Sequence, residues 1–126
     1  MERDAVIVAG FGFRQGTALP ELRAALDLAQ ADLPAVEALA TPRDKAAGLA
    51  PLAQTLGLPL ITVDEAALET QQTITQSSAS LAARRTGSVA EAAALAAAGP
   101  GARLLGPRHV SPDRMATCAI AQGTPS

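Results

Sequence analysis

The sequence predicts a single three-layer α/β domain, with a mixed sheet of about five strands and helices on both faces. Three observations carry this. Short apolar runs alternate with stretches of helical period over the first 70 residues. Two further strand-like runs, the second opened by a tight turn, close the chain. The length of 126 residues supplies one sizeable core and no second one. Alternation of strand and helix predicts parallel pairing among the first three strands, and the closing pair reads as an antiparallel hairpin.

The first strand is the run from Ala5 to Ala9, apolar throughout and therefore buried on both faces. The stretch Gly10-Phe11-Gly12-Phe13-Arg14-Gln15-Gly16 reads as a loop, with Thr17 as candidate N-cap of a helix over 18–30. Leu19, Leu22, Leu26 and Ala29 give that helix its apolar face. A second strand covers 35–40, and Leu49, Leu52, Ala53 and Leu56 set a helix over 44–56 that Gly57 stops. A third strand spans 58–63, with Pro59 at its start, and Asp64 caps a short helix over 65–70.

Residues 70–80 are nearly all small and polar, and read as a mobile loop with few apolar anchors. A helical turn is expected over 81–85. Ser88-Val89-Ala90-Glu91 is a capping box that opens an almost pure alanine helix over 89–98. The fourth strand covers 102–105, and its continuation past Gly106-Pro107 stays open. Ser111-Pro112-Asp113-Arg114 signals a turn before a fifth strand over 115–121. The domain is expected to occupy 1–122, with a frayed tail at 123–126.

Composition narrows the function. Aromatic residues are 2% of the chain, Phe11 and Phe13 alone, which argues against a base-stacking platform for single-stranded nucleic acid. A net charge of −2 argues against a general polyanion binder. No apolar run of membrane-spanning length and no secretory leader are read, so neither nucleic acid nor membrane is expected as a partner, and the expected address is the cytoplasm. The charge is uneven. Residues 1–72 carry five basic and ten acidic side chains, whereas residues 73–126 carry Arg84, Arg85, Arg103, Arg108 and Arg114 against Glu91 and Asp113. An arginine-only basic half suits carboxylate or phosphate ligands, or simply a solvated surface.

Several residues are candidates for chemistry. The glycines Gly10, Gly12 and Gly16 stand between a buried strand and a helix, where backbone amides can cradle an anion. Their spacing fits neither a dinucleotide fingerprint nor a P-loop, and a tight turn explains them equally. Arg14 sits in the middle of this loop. Thr41 and Lys45 flank the carboxyl end of the second strand, where open α/β sheets bind ligands. Ser88 and Glu91 are explained by the capping box, with Glu91 also a candidate acid or base. His109 is the one histidine; it is a second acid–base candidate, a single cobalt contact or a neutral strand-end residue. Cys118 is the one cysteine, read as a small buried hydrophobe. No multi-cysteine or two-histidine metal site is available, and neither a metal nor a cofactor is expected. The residues alone lead to a small-ligand-binding α/β domain.

Five stretches taken together resemble a known family. They are Gly10-Phe-Gly-Phe-Arg-Gln-Gly16 with Thr17, Ala40-Thr41 with Lys45, Leu56-Gly-Leu-Pro-Leu60, Ser88-Val-Ala-Glu-Ala-Ala93 running to Gly99, and Ala116-Thr-Cys-Ala-Ile-Ala121. In this order they are similar to the CobE/CbiG C-terminal domain family of cobalamin biosynthesis proteins, with the stand-alone type as the closer likeness. Phe13 stands where the family often has Cys, and Arg108 where it often has Lys.

The resemblance implies a role in corrin ring synthesis. A precorrin or hydrogenobyrinic-acid-type intermediate, rich in acetate and propionate arms, is the implied ligand. Gly10, Phe11, Gly12, Phe13, Arg14, Gly16, Thr17, Thr41, Lys45, Ser88, Glu91 and Arg108 are its expected contacts, with Arg84 and Arg85 as further carboxylate partners. Three roles stay open at this point. One is a non-catalytic binder or carrier. Another is a hydrolase of a lactone-bearing precorrin, or an accessory to one, using Glu91 or His109. The third is a docking protein for other cobalamin pathway enzymes. A homodimer is also compatible with a small, alanine-rich domain.

Overall fold

The computed structural model describes residues 6–124, so the Ala5 start of the first strand and the last two tail residues lie outside the described residues. The elements run β1 (Ile7–Phe13), α1 (Leu19–Gln30), β2 (Ala38–Pro42), a 3-10 turn (Arg43–Lys45), α2 (Ala46–Leu56), β3 (Leu60–Val63), α3 (Glu65–Glu69), α4 (Ser78–Arg84), α5 (Val89–Ala98), β4 (Arg103–Leu104), β5 (His109–Val110) and β6 (Ala116–Gln122). The sheet order is β3-β2-β1-β6-β4, with β5 also paired to β6. β1, β2 and β3 pair in parallel, and β6 runs antiparallel to β1, β4 and β5. The expected mixed sheet of about five strands is present as a five-strand path, and a sixth short strand, β5, pairs with β6 after the chain breaks at Gly106-Pro107.

Two apolar layers explain the architecture. Alternate β1 residues Ile7, Ala9 and Phe11 pack with Leu22, Ala25 and Leu26 of α1 and Leu49 and Leu52 of α2. On the other face Val8 joins Ala38, Ala40, Val63 and Leu68 and the α5 alanines Ala92 and Ala93. The alanine helix lies close to the sheet because neither surface carries bulk. A Cβ on Gly10 would stand 2.1 Å from the Ala90 carbonyl oxygen and 2.5 Å from the Ala94 nitrogen. Gly10 is glycine for this approach.

Several local expectations are corrected. β1 runs through Gly10 and Gly12 to Phe13, paired along its whole length with β6, so these glycines lie in a strand. Only Gly16, at φ +86°, takes the left-handed backbone of a turn. Thr17 does not cap α1; Ala18 stands at the N-cap, and the Thr17 hydroxyl donates to the carbonyls of Arg14 and Met115. β2 begins at Ala38 and reaches Pro42, later than expected. Asp64 precedes α3 without a side-chain cap, because its carboxylate accepts two bonds from Arg43, at 2.7 and 2.9 Å. The capping box is half formed: Ser88 Oγ accepts from the Glu91 N–H, but the Glu91 carboxylate turns elsewhere. At the C-terminal end, the Gly123 N–H donates to the Val6 carbonyl at 2.9 Å.

Candidate functional site

A cleft of about 420 Å³ opens at the carboxyl ends of β1 and β2, where parallel α/β sheets place ligands. β1 contributes Gly12 and Phe13, followed by Arg14, and β2 contributes Pro42. α4 forms one wall through Ala79, Ser80, Ala83 and Arg84, and Val89 opens α5 at the back. Arg108, Arg114, Met115 and Thr117, around β5 and the start of β6, form the opposite wall.

The chemistry of the lining is one-sided. Arg14, Lys45, Arg84, Arg108 and Arg114 line the cleft, and no Asp or Glu does. Among the described residues, only Arg84 of these five has an acidic partner within ion-pair distance. Its guanidinium grips both oxygens of Asp44, at 2.7 and 2.9 Å, and reaches Glu65 at 2.9 Å. The Arg84 pairing is the chief reason the Asp44 carboxyl titrates below the usual carboxylate range, and these partners hold the Arg84 guanidinium charged well above its ordinary value. The floor is apolar. Phe13 lies half-buried, with the Lys45 ammonium 5.6 Å from its ring centroid, a cation–π distance. Gly48 makes room for that ring, since a Cβ there would lie 2.6 Å from Phe13 Cε2.

Of the residues singled out in the sequence, Gly12, Phe13, Arg14, Lys45, Arg84 and Arg108 meet in this cleft. The others do not line it. Phe11 is fully buried in the core beneath α1 and α2, so its ring is packing, not ligand surface. Gly10 faces α5. Thr41 is buried and donates to the Phe11 carbonyl at 3.1 Å, tying β2 to β1. Gly16 and Thr17 belong to the turn after the cleft. Ser88 and Glu91 are fully buried behind the cleft. His109 is exposed on β5, outside the lining.

Ser80, Ala83, Arg114, Met115 and Thr117 also line the cleft but are not among the contacts read from the sequence, where Arg114 marks only a turn and Thr117 only the last strand. Sequence reading also misses the order of the 70–80 segment. This segment does have an anchor, and the anchor is polar. Both oxygens of Glu91 bind it: Oε1 accepts from the N–H groups of Ile74 and Thr75, and Oε2 from the Thr75 hydroxyl. Cys118 is fully buried in the core, and desolvation alone pushes its thiol far above the ordinary range. No group of three or more His, Cys, Asp or Glu gathers to hold a metal among the described residues. No helix among them is long and apolar enough to cross a membrane.

Comparison with known proteins places this fold. The family model described as "Cobalamin synthesis G C-terminus" matches residues 7–121. The crystal structure of CobE, described as a protein from the cobalamin (vitamin B12) biosynthetic pathway, superposes with a TM-score of 0.87 at 29% identity, covering 100% of this chain and 96% of that one. The cobalamin biosynthesis protein chiG from Agrobacterium tumefaciens str. C58 is 38% identical, with a TM-score of 0.72 over 94% of this chain and 99% of that one. A putative cobalamin biosynthesis protein G homolog from Sulfolobus solfataricus, at 21% identity, shares the fold with a TM-score of 0.74; the match covers 95% of this chain and 37% of that longer one. No curated protein matches the chain. On the match over 115 of its residues, and on the agreement of fold with CobE, the chain belongs to the cobalamin synthesis G C-terminus family of cobalamin biosynthesis proteins.

Proposed function

We propose that this protein binds a late, polycarboxylated corrin-ring intermediate of the hydrogenobyrinic acid type in the cleft, and carries it without converting it. The observation that supports this reading is the pairing of an apolar floor with cationic walls that contain no acid. Carboxylate arms of the macrocycle meet Arg14, Arg108 and Arg114, each free of an acidic partner among the described residues. Such charge-assisted bonds are short and directional, and the guanidinium fork matches a carboxylate edge to edge. Phe13, Val89, Met115 and the α4 alanines offer apolar contact to the ring. Cationic walls speed capture of a polyanion, and the apolar contact slows its release.

The hydrolase reading is less well supported. A general acid or base has to reach the reacting atoms. Glu91 is buried and fully occupied by protein donors, and His109 stands outside the cleft. Of the three glycines that could cradle an anion, Gly10 and Gly12 are engaged in the β1–β6 ladder, and Gly16 belongs to the turn beyond the cleft.

The test is a titration with hydrogenobyrinic acid, followed by visible absorbance and calorimetry. The chain has no Trp or Tyr to overlap the pigment. The expected result is saturable binding at micromolar concentration or tighter, with a spectral shift and no chemical change over hours. Conversion of a lactone-bearing precursor instead establishes a hydrolase. Absence of both binding and conversion overturns the carrier reading in favour of docking to a pathway enzyme.

A further inference from the structure

The two walls of the cleft are joined behind it by one side chain. Glu91 stands in the first turn of α5 and is fully buried. A buried carboxylate is tolerated only when its oxygens are satisfied by donors. Here four donors meet its two oxygens. Oε1 accepts from the Ile74 N–H at 2.6 Å and the Thr75 N–H at 2.9 Å. Oε2 accepts from the Thr75 hydroxyl at 2.6 Å and the Arg108 N–H at 2.8 Å. Two lone-pair sites per oxygen are thereby filled, and a carboxylate is the one side chain of this size that accepts in all four directions.

The donors come from two segments far apart in sequence. Ile74 and Thr75 lead directly into α4, whose N-cap Ser77 lines the cleft, and Arg108 lines the opposite wall. α4 has no buried residue of its own, so little apolar packing fixes its position. The strap before it is pressed onto Gly87, where a Cβ would come 2.3 Å from the Thr75 carbonyl oxygen, and the Ser77 N–H donates to the Gly87 carbonyl at 2.8 Å.

We propose that Glu91 is the positioning residue of the cleft: a single buried carboxylate that fixes the α4 wall, through residues 74 and 75, and the Arg108 wall in one register. It touches no ligand. Its consequence for affinity rests on the binding reading above; its role in holding the walls does not.

The experiment is amide hydrogen exchange and pigment titration on Glu91→Gln. The amide NH₂ of Gln must confront either the 74–75 pair or the Thr75–Arg108 pair. Exchange over 72–77 and 106–109 is expected to rise at least about tenfold, while β1 and β6 keep wild-type protection. Affinity for hydrogenobyrinic acid falls at least about tenfold. Thr75→Ala removes one of the four bonds and serves if Glu91→Gln does not fold. It is expected to raise exchange at Ile74 and Arg108 roughly threefold. Unchanged exchange in both segments, or an even rise that includes β1, overturns the proposal by making Glu91 inert or merely a core residue. Looser walls with unchanged affinity bear out the hold on the walls and overturn its consequence for binding. If the wild-type protein takes up no pigment, the binding reading fails, while the exchange result still decides whether Glu91 holds the walls.

Discussion

Arg84 grips both carboxylate oxygens of Asp44 across 40 residues of sequence, at 2.7 and 2.9 Å. The same guanidinium reaches Glu65 at the start of α3. This pairing brings α4, which buries nothing, against the turn that precedes α2. The fork–fork geometry gives direction as well as charge. The Arg84 side chain is 18% exposed while Asp44 remains 63% exposed, so solvent screens much of the attraction.

Asp44→Asn is therefore expected to destabilise the protein by only about 0.5 kcal/mol, read from urea denaturation. Because the Arg84 pairing, first of all, lowers the Asp44 carboxyl below its ordinary value of 3.8, the contribution has a definite pH course. It is fully present above the ordinary carboxylate range and is lost as pH falls through the lowered folded value. The difference between wild type and Asp44→Asn should thus be constant from pH 5 to 8 and shrink below about pH 4. A difference that grows on acidification contradicts the pairing.

Gly10→Ala tests the close approach of α5 to the sheet. The new Cβ meets helix backbone, which cannot swing aside as a side chain can. A loss of about 3 kcal/mol is expected in urea denaturation. A change below about 0.5 kcal/mol contradicts the assignment of Gly10 to packing.

Arg14→Ala is expected to weaken pigment binding at least about tenfold, by loss of a charge-assisted contact. Arg85→Ala is the control. Its side chain is 83% exposed, lies 3.7 Å from Glu69 and does not line the cleft. Equal effects of the two substitutions indicate attraction by net charge alone.

Cys118 is expected to resist alkylation in the folded protein. Burial pushes its thiol up, so the thiolate that reacts is scarce, and the sheet denies access. Iodoacetamide at pH 8 should label native protein at least about a hundredfold more slowly than protein in urea. Similar rates in both contradict the buried position.

The parts of this fold that the sequence reveals are those written in local pattern. The apolar runs of β1 and β3 and the Leu49, Leu52, Ala53, Leu56 period give strand and helix directly. The alanine helix and its Ser88 cap stand within a residue of their expected ends. What the sequence hides depends on partners far away. Glu91 looks like half of a capping box because Ser88 is three residues off, whereas its actual donors are 16 and 17 residues away and carry no signature. The polar 70–80 stretch looks unanchored because its anchor is a carboxylate rather than an apolar face. Gly10 and Gly12 look like a ligand loop, since a glycine needed for helix approach reads the same as one needed for a turn. Phe13, Arg14, Lys45 and Arg108 line the cleft; Arg114 and Thr117 join them only because β6 runs antiparallel beside β1.

The central claim is that the cleft at the ends of β1 and β2 is where the polycarboxylated pigment sits. Amide chemical-shift mapping during titration with hydrogenobyrinic acid tests it most directly. The account predicts shifts confined to residues 12–14, 45, 77–84, 108 and 114–117, with α1 and the β3 edge unmoved. Saturable shifts centred on α1 or on β3, with the cleft unmoved, would contradict it.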